Sequence, residues 1–450
     1  MTHSCLRIVV VLGFVLGPAA VLAEDGAADL LELYGKATEF DPIFQTALYR
    51  FELGQEGVRE SRSGVRPRLG GTLDTSWVEQ NIRESDNFLF QVGKTQFFNS
   101  AVGIALTQPV YRQDALARIP QAKAEAQQAA AELRAEEQDL AYRLAEAFFG
   151  FMAARDNLEF AIAERTAIQQ QLLESEERLA SGLGAITDVH EARARYAFAQ
   201  ATEIAAKDEL EAARLVIAEI IGEVPDDVKI LSDSFPLVGP ERPRVEEWVE
   251  AARFQNPRIK ALEAASDVAA REVRVQRGEG RHPGLDFVAA YNYSDSGGSE
   301  FAGGGGSVIG TGTLALRLVV PIYDGGRSTA ALRSAALQHK ISLQTLERAK
   351  RVVEAETRKA FQGVVSGITR VEALIQTVFS QEAALADKET RMGAGLARGL
   401  EVLDARRDLF FARRDLAQAR YDYLLASLNL KRWAGILDGT DLRAINAYLH

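Results

Sequence analysis

The stretch Arg178-Leu179-Ala180-Ser181-Gly182-Leu183-Gly184-Ala185-Ile186-Thr187-Asp188-Val189, running on to Ala192-Arg193, has a second version near the other end of the chain. There Arg391, Gly395, Leu396, Val402, Ala405 and Arg406 stand where Arg178, Gly182, Leu183, Val189, Ala192 and Arg193 stand in the first copy. Gly435 answers Gly222 at the same offset of about 213 positions. No proline occurs between Pro120 and Pro225, and none follows Pro321. Within those limits the apolar residues recur at helical period, broken once per copy by a short glycine-bearing turn. A fixed offset means one architectural unit used twice. Each unit carries a long helix pair, and from Gln113 to Ser181 one helix alone would reach roughly 100 Å.

The helical pattern is that of close-packed seams. Val402, Leu409, Leu416, Tyr423 and Leu430 fill one heptad column, and Ala405, Ala412, Ala419 and Ala426 fill its partner. Ala192, Ala199, Ala206 and Ala213 make the alanine column of the first copy. Large and small columns side by side let helices approach as in a coiled coil. A second apolar column, Leu403, Phe410, Ala417 and Leu424, predicts neighbours on two sides of the last helix. A closed ring of helices has that property, although a wide stripe on an ordinary bundle helix would read the same way.

Ahead of each long helix pair lie two runs of period two. Leu69, Leu73 and Trp77, then Val102, Ile104 and Leu106, belong to the first copy. Leu285, Phe287, Ala289, Tyr291 and Tyr293, then Leu314, Leu316, Leu318, Val320 and Ile322, belong to the second. Each has one apolar face over about ten residues, the length of a transmembrane β-strand. A half-exposed strand of a soluble sandwich has the same pattern. The joining loops, 79–96 and 294–310, are polar, and the second is glycine-rich. Four strands cannot close a barrel, and an open edge cannot sit in lipid, so membrane strands would have to be pooled among several chains.

The expected organisation is a signal peptide over 1–23 and a first structural repeat over 24–222, with a hairpin at about 66–111 and a tip at 182–188. A proline-rich connector at 223–244 follows, irregular and packed on the outside of the assembly. A second repeat covers 245–436, with a hairpin at about 284–323 and a tip at 395–401, before a C-terminal tail at 437–450. Arg7, the apolar run 8–16, Gly17-Pro18 and the small residues before Glu24 carry the signal-peptide reading. Asp41-Pro42 and Asn256-Pro257 each mark a helix start by cap and first-turn proline.

The only cysteine, Cys5, precedes the apolar run, so neither a lipid-accepting cysteine nor a disulfide is expected in the mature chain. A net charge of −11 argues against nucleic acid as a partner. The five histidines are scattered without metal-ligand spacing, and Gly303–306 is not a phosphate loop. No catalytic constellation, cofactor site or metal site is expected. Arg406-Arg407 and Arg413-Arg414 read as a solvated helix face.

The run from Gly182 to Val189, continuing through Ala192-Arg193-Ala194-Arg195-Tyr196, resembles the first helical tip of the TolC-like outer-membrane efflux and type I secretion channels. Leu400-Glu401-Val402-Leu403-Asp404-Ala405 resembles the second. Gln108-Pro109-Val110-Tyr111 and Val320-Pro321-Ile322-Tyr323-Asp324-Gly325-Gly326 are similar to the family's strand-to-helix junctions. The resemblance covers essentially the whole mature chain. It implies a mixed α/β membrane protein, a homotrimer whose twelve-stranded β-barrel sits in outer-membrane lipid above a twelve-helix periplasmic tunnel. It implies an export function for proteins or small molecules, and partners in a periplasmic adaptor and an inner-membrane ABC or proton-driven transporter.

By that resemblance Asp188, Glu401 and Asp404 would form an entrance gate and ion constriction. Gly182, Leu183, Gly184, Gly395 and Leu396 would form the tips on which the adaptor docks. Glu401 stands in place of an aspartate, while Met392 and Ala397 stand where a tyrosine and an arginine tie the closed state in the best-known member. Helix N-capping is the plain alternative for Asp188 and Asp404. A periplasmic coiled-coil adaptor with compact β-domains is the alternative for the whole chain.

Overall fold

The computed structural model describes residues 28–449, apart from 85, 87–91, 226, 233–234, 280–281, 298–305, 395 and 397–398. The expected signal peptide therefore lies outside the described residues. Helices α1 (Leu30–Phe40) and α2 (Pro42–Ser63) lead into strands β1 (Arg68–Ile82) and β2 (Gly93–Tyr111). Then come α3 (Gln113–Ala180) and α4 (Ile186–Ile221). The second half repeats the order with α5 (Val245–Gln255), α6 (Pro257–Glu279), β3 (Gly284–Ser296), β4 (Ser307–Val319), α7 (Arg327–Gly393) and α8 (Gly399–Ala434). A short α9 (Gly439–Asn446) ends the chain.

The duplicated punctuation has a common chemistry. Asp41 caps α2 by accepting from the Phe44 N–H at 2.8 Å, with Pro42 in the first turn. Asn256 does the same for α6, its side-chain oxygen accepting from Arg258 N–H at 2.9 Å. Both α4 and α8 end at a left-handed glycine, Gly222 (φ 78°) and Gly435 (φ 75°), a conformation that costs other residues strain.

All four strands join one antiparallel sheet in the order β1-β2-β3-β4. The second hairpin thus lies edge to edge with the first, and the outer edges of β1 and β4 have no strand partner among the described residues. Register places Leu73 opposite Val102 and Val102 opposite Tyr293. It likewise aligns Leu69, Leu106, Ala289 and Leu314 in one row across the sheet. Because side chains alternate, these residues share a face that is apolar from edge to edge, and Trp77 meets Phe98 on it, edge to face at 4.7 Å. Leu73, Leu314, Leu316 and Leu318 are all exposed on it. The opposite face carries Arg68, Thr72, Asp74, Asn292, Thr313 and Arg317. Strand β4 stops before Pro321, so Val320 and Ile322, which the alternation assigns to it, lie beyond its end; Pro321 has no N–H to continue the ladder.

Helices α3 and α7 contain 68 and 67 residues, so α3 is about 100 Å long. Among the described residues no helix is long and apolar enough to cross a membrane. The predicted seams are buried. Ala192, Ala199 and Ala206 line the α3–α4 pair, and Val402, Ala405, Leu409, Ala412 and Ala419 line the α7–α8 pair.

Midway along α3 the burial widens to most of the helix circumference, with Glu146 and Gly150 left exposed on one side. Leu140, Leu144, Phe148, Phe149, Phe151 and Met152 are all at most 1 % exposed. They pack with Leu30 and Leu33 of α1, Ile217 of α4, and Tyr421 and Leu428 of α8. The connector contributes to this core. Val228 and Leu231 are buried, in isolated bridges to Ala28 and Leu449. The segment read as a tail likewise folds, as α9, with an Asp438–Asp441 capping box and with Leu442 and Ile445 in the same core. Lys431 donates to Glu241 and Asp441, both at 2.7 Å, linking α8 to connector and α9. Burial works against its ammonium, but the two carboxylates more than offset that and raise its pKa.

Replacing Ala412 or Ala419 with leucine should lower the melting temperature more than Arg413→Leu does. Each alanine lies in a filled seam, where overpacking costs about 1–3 kcal/mol, whereas Arg413 is half-exposed with a single ion pair to Glu382. Arg414 would be a poor control, since it stacks over Phe411 at 5.0 Å. Thermal unfolding followed by circular dichroism checks this, and equal melting of all three variants would contradict the seam.

Candidate functional site

Both helix pairs turn at the end remote from the sheet. At the first tip α3 closes with two reversed hydrogen bonds. Gly182 N–H donates to Leu179 at 3.0 Å and Leu183 N–H donates to Arg178 at 2.9 Å. This arrangement needs a left-handed residue at its centre, and Gly182 supplies it with φ 72°. At Gly184 a Cβ would lie 2.9 Å from the Leu179 nitrogen, so no larger residue fits. The second tip repeats the bond, Leu396 N–H donating to Arg391 at 2.8 Å. Gly395 and Ala397 lie outside the described residues. Leu183 and Leu396 are 84 % and 73 % exposed, so each tip presents a bare leucine to water.

An ion pair closes each hairpin just above its turn. Arg193 on α4 grips Glu176 on α3, and Arg406 on α8 grips Glu389 on α7. In both, Nε lies at 3.2 Å and Nη2 at 2.7 Å from one carboxylate oxygen. The two pairs are the same positions of the repeat. Arg406 and Arg413 are thus half-exposed but paired, a more specific role than the solvated face their pattern suggests.

Neither candidate gate aspartate caps a helix. The residue before α4 is Ala185, which makes no side-chain cap bond. Asp188 is exposed in the first turn, where the helix dipole favours a carboxylate. It lines a cleft of about 410 Å³ among α3, α4 and α8, together with Ser175, Arg178, Glu191, Arg195 and Leu403. Glu401 occupies the matching position of the second repeat, exposed in the first turn of α8.

Asp404 lies one turn further on and is held from the other repeat. Arg195 of α4 reaches it at 3.5 Å while also pairing with Glu191 at 2.8 Å. Arg195 therefore connects α4 to α8 at the tip. The repeat position of Arg195 in the second half is Asp408, of opposite charge, so this bond has no counterpart. Higher up, Tyr421 of α8 donates to Asp156 of α3 at 2.7 Å, and burial pushes its phenol pKa up. Between these two levels burial raises the pKa of Glu164, although Arg407 and Arg414 of α8 pull against that. Arg195, Glu191, Glu176, Glu389 and Tyr421 were not singled out by sequence pattern. A search for opposite charges at a fixed separation across each turn would have found the two clamps; the Arg195–Asp404 bond has no such signal. Met392 is half-exposed.

This architecture of hairpin, long helix pair and glycine tip, made twice in one chain, is matched twice by one known family. The outer membrane efflux protein family matches residues 33–223 and again residues 248–436.

The chain belongs to that family.

It is 30 % identical over 423 residues to the outer membrane protein TolC of Vibrio cholerae, covering 94 % of each chain. It is 29 % identical to the alkaline protease secretion protein AprF of Pseudomonas aeruginosa, over 95 % of this chain and 89 % of that one. Among solved structures, the CmeC outer membrane channel of Campylobacter jejuni superposes with a TM-score of 0.77 at 14 % identity, covering 94 % of this chain and 90 % of that one. The outer membrane protein VceC of Vibrio cholerae superposes at 0.70 and 20 %, covering 90 % and 96 %. These show the tunnel fold.

The chain is thus an outer-membrane channel of the efflux and type I secretion class, with its helices extending into the periplasm. The adaptor alternative falls, since that reading requires compact β-domains about one hairpin and the strands here form a single sheet.

The Arg195–Asp404 bond should be measurable as a coupling. Arg195→Gln, Asp404→Asn and the double variant form a cycle read by hydrogen-exchange protection of the α4 and α8 amides near the tips. Exposed pairs are typically worth about 0.2–1 kcal/mol, so a coupling in that range is expected. Strict additivity would mean that the pair does not hold the tips together.

Proposed function

We propose that three copies of the chain assemble into a passive export duct. Its barrel crosses the outer membrane and its tips form the periplasmic entrance, opened by a partner complex. The observation carrying this reading is the sheet: one apolar face over four strands, with both outer edges unpaired among the described residues. Four strands are too few to enclose a lumen, while twelve form a barrel of ordinary size. The helices need the same neighbours. Tyr49 and Leu53 on α2, Phe198 and Ile204 on α4, and Ile341 and Phe379 on α7 are exposed apolar residues on helices that each have an open side in one chain.

At the entrance Asp188, Glu401 and Asp404 act as the gate and ion constriction. The exposed leucines Leu183 and Leu396, with Gly182, Gly184 and Gly395, form the surface on which a periplasmic adaptor docks. The adaptor couples the duct to an inner-membrane transporter, ABC-type or proton-driven. Cargo is protein or small molecule, handed over already energised, because the duct supplies no chemistry. Support for protein cargo comes from the names of AprF and of the proteases secretion protein PrtF of Dickeya chrysanthemi, which is 28 % identical.

Two measurements check the reading. In mild detergent the mature protein should scatter light as a trimer, and a stable monomer would overturn the assembly. In planar bilayers Glu401→Ala/Asp404→Ala should weaken cation preference and block by divalent cations while leaving the trimer intact. Like charges gathered at a narrow opening raise the potential that permeating ions feel. The effect should fade as salt shortens the screening length to ~8–10 Å and below. Unchanged selectivity and block at low salt would remove these residues from the entrance.

A further inference from the structure

Where the sheet meets the long helices, the polar face gathers guanidinium groups. Arg68 opens β1, Arg317 lies near the end of β4, and Arg112 immediately precedes α3. They surround one buried carboxylate, Asp286 of β3, whose side chain is 7 % exposed. Arg112 donates to it twice, from Nε at 3.0 Å and from Nη2 at 2.7 Å. Asp286 stands directly opposite Arg317 in the ladder. Arg68 lies on the next row, which runs through Thr107, Val288 and Ala315. Strand alternation puts Arg68, Asp286 and Arg317 on the same side of the sheet, away from the apolar face.

One carboxylate cannot neutralise three guanidiniums, and its two oxygens are already engaged by Arg112. Arg68 and Arg317 remain exposed, without a hydrogen-bonded or ion-paired partner among the described residues. The next acid on this face of β1 is Asp74, six residues and ~20 Å along the strand. Asp114, in the first turn of α3, acts on Arg112.

We propose that Arg68 and Arg317 form an anion-attracting ring at the base of the barrel, recognising carboxylate, sulfate or phosphate groups on solutes in the lumen. The inference rests on the reading that three copies close around that face. Guanidinium forks match such oxyanions in geometry as well as charge. The duct then has opposite signs at its two levels, acidic at the periplasmic tips and basic where the helices hand over to the strands. An anionic solute repelled at the entrance gains attraction further along, and a cationic one meets the reverse. The field crosses a lumen only at low salt, because the screening length is ~30 Å at 0.01 M and ~3 Å at 1 M.

The local potential can be read by thiol chemistry. Ala315→Cys places a small reporter on the row beside Arg317, and replacing Cys5 with serine removes the only native cysteine. Anionic sulfonatoethyl and cationic trimethylammonioethyl methanethiosulfonates are applied to the trimer from the loop side, and their rates are compared with those on a free thiol. At about 10 mM salt the anionic reagent should be favoured by about tenfold, and the preference should vanish near 1 M. Arg68→Gln/Arg317→Gln should abolish it, whereas Arg68→Lys/Arg317→Lys should retain it. Labelling with a charge preference that ignores the arginines overturns the ring and leaves the channel standing. A thiol that neither reagent reaches overturns the water-filled lumen, and the ring with it.

Discussion

A hydrocarbon layer offers no water to a peptide group, and that single deficit governs the architecture. The N–H and C=O groups along the outer edges of β1 and β4 have no strand partner among the described residues. Each one left bare in lipid would cost several kcal/mol, so the edges must be closed by other strands. Closure in turn fixes what the helices do. Each hairpin runs straight into helix α3 or α7, through Arg112 on one side and the Asp324–Gly326 turn on the other. There Asp324 accepts from Gly326 and Ser328 N–H at 3.1 and 2.8 Å. Whatever circle the strands describe is handed directly to the helices below.

Below the sheet, stability comes from two different kinds of packing. Towards the tips the helices pair through narrow alanine columns, which allow close approach but bury little area per residue. Near the middle, α1, α5, α9 and the connector thicken the wall, and Phe148, Phe149, Leu144, Trp248 and Tyr421 disappear from solvent. The apolar area there is far larger, and burial contributes roughly 25 cal/mol per Å². The firm part of the subunit is therefore its waist, while the tips rely on half-exposed ion pairs such as Arg193–Glu176 and Arg406–Glu389, each worth little on its own.

Much of this was written in periodicity. Leu69, Leu73 and Trp77 announce a strand and its face, and Ala405, Ala412 and Ala419 announce a seam, because regular elements place every second or every seventh residue in one environment. The waist was less legible. Val228 and Leu231 sit in an aperiodic, proline-rich segment, and their burial follows from tertiary contacts that no local pattern encodes. Val320 and Ile322 misled for the opposite reason, since the alternation continues past the point where Pro321 ends the ladder. At the tips, resemblance pointed to Asp188, Glu401 and Asp404 but gave no hint that Arg195 holds Asp404. That bond joins residues from the two repeats, in a place where the repeats differ.

The continuity of α3 has a mechanical consequence. The helix is clasped over most of its circumference around Phe148 to Met152 and then runs without a break to Ala180, close to 30 residues further on. At 1.5 Å per residue that stretch, paired with α4, is ~40 Å long, so a swing of the pair by about 10° at the clasp carries its end some ~7 Å sideways. Such a lever converts a rotation small enough for packed side chains to absorb by adjusting rotamers into a displacement on the scale of a hydrated ion or a peptide segment. The waist acts as fulcrum, and half-exposed ion pairs hold the hairpins where the displacement is greatest.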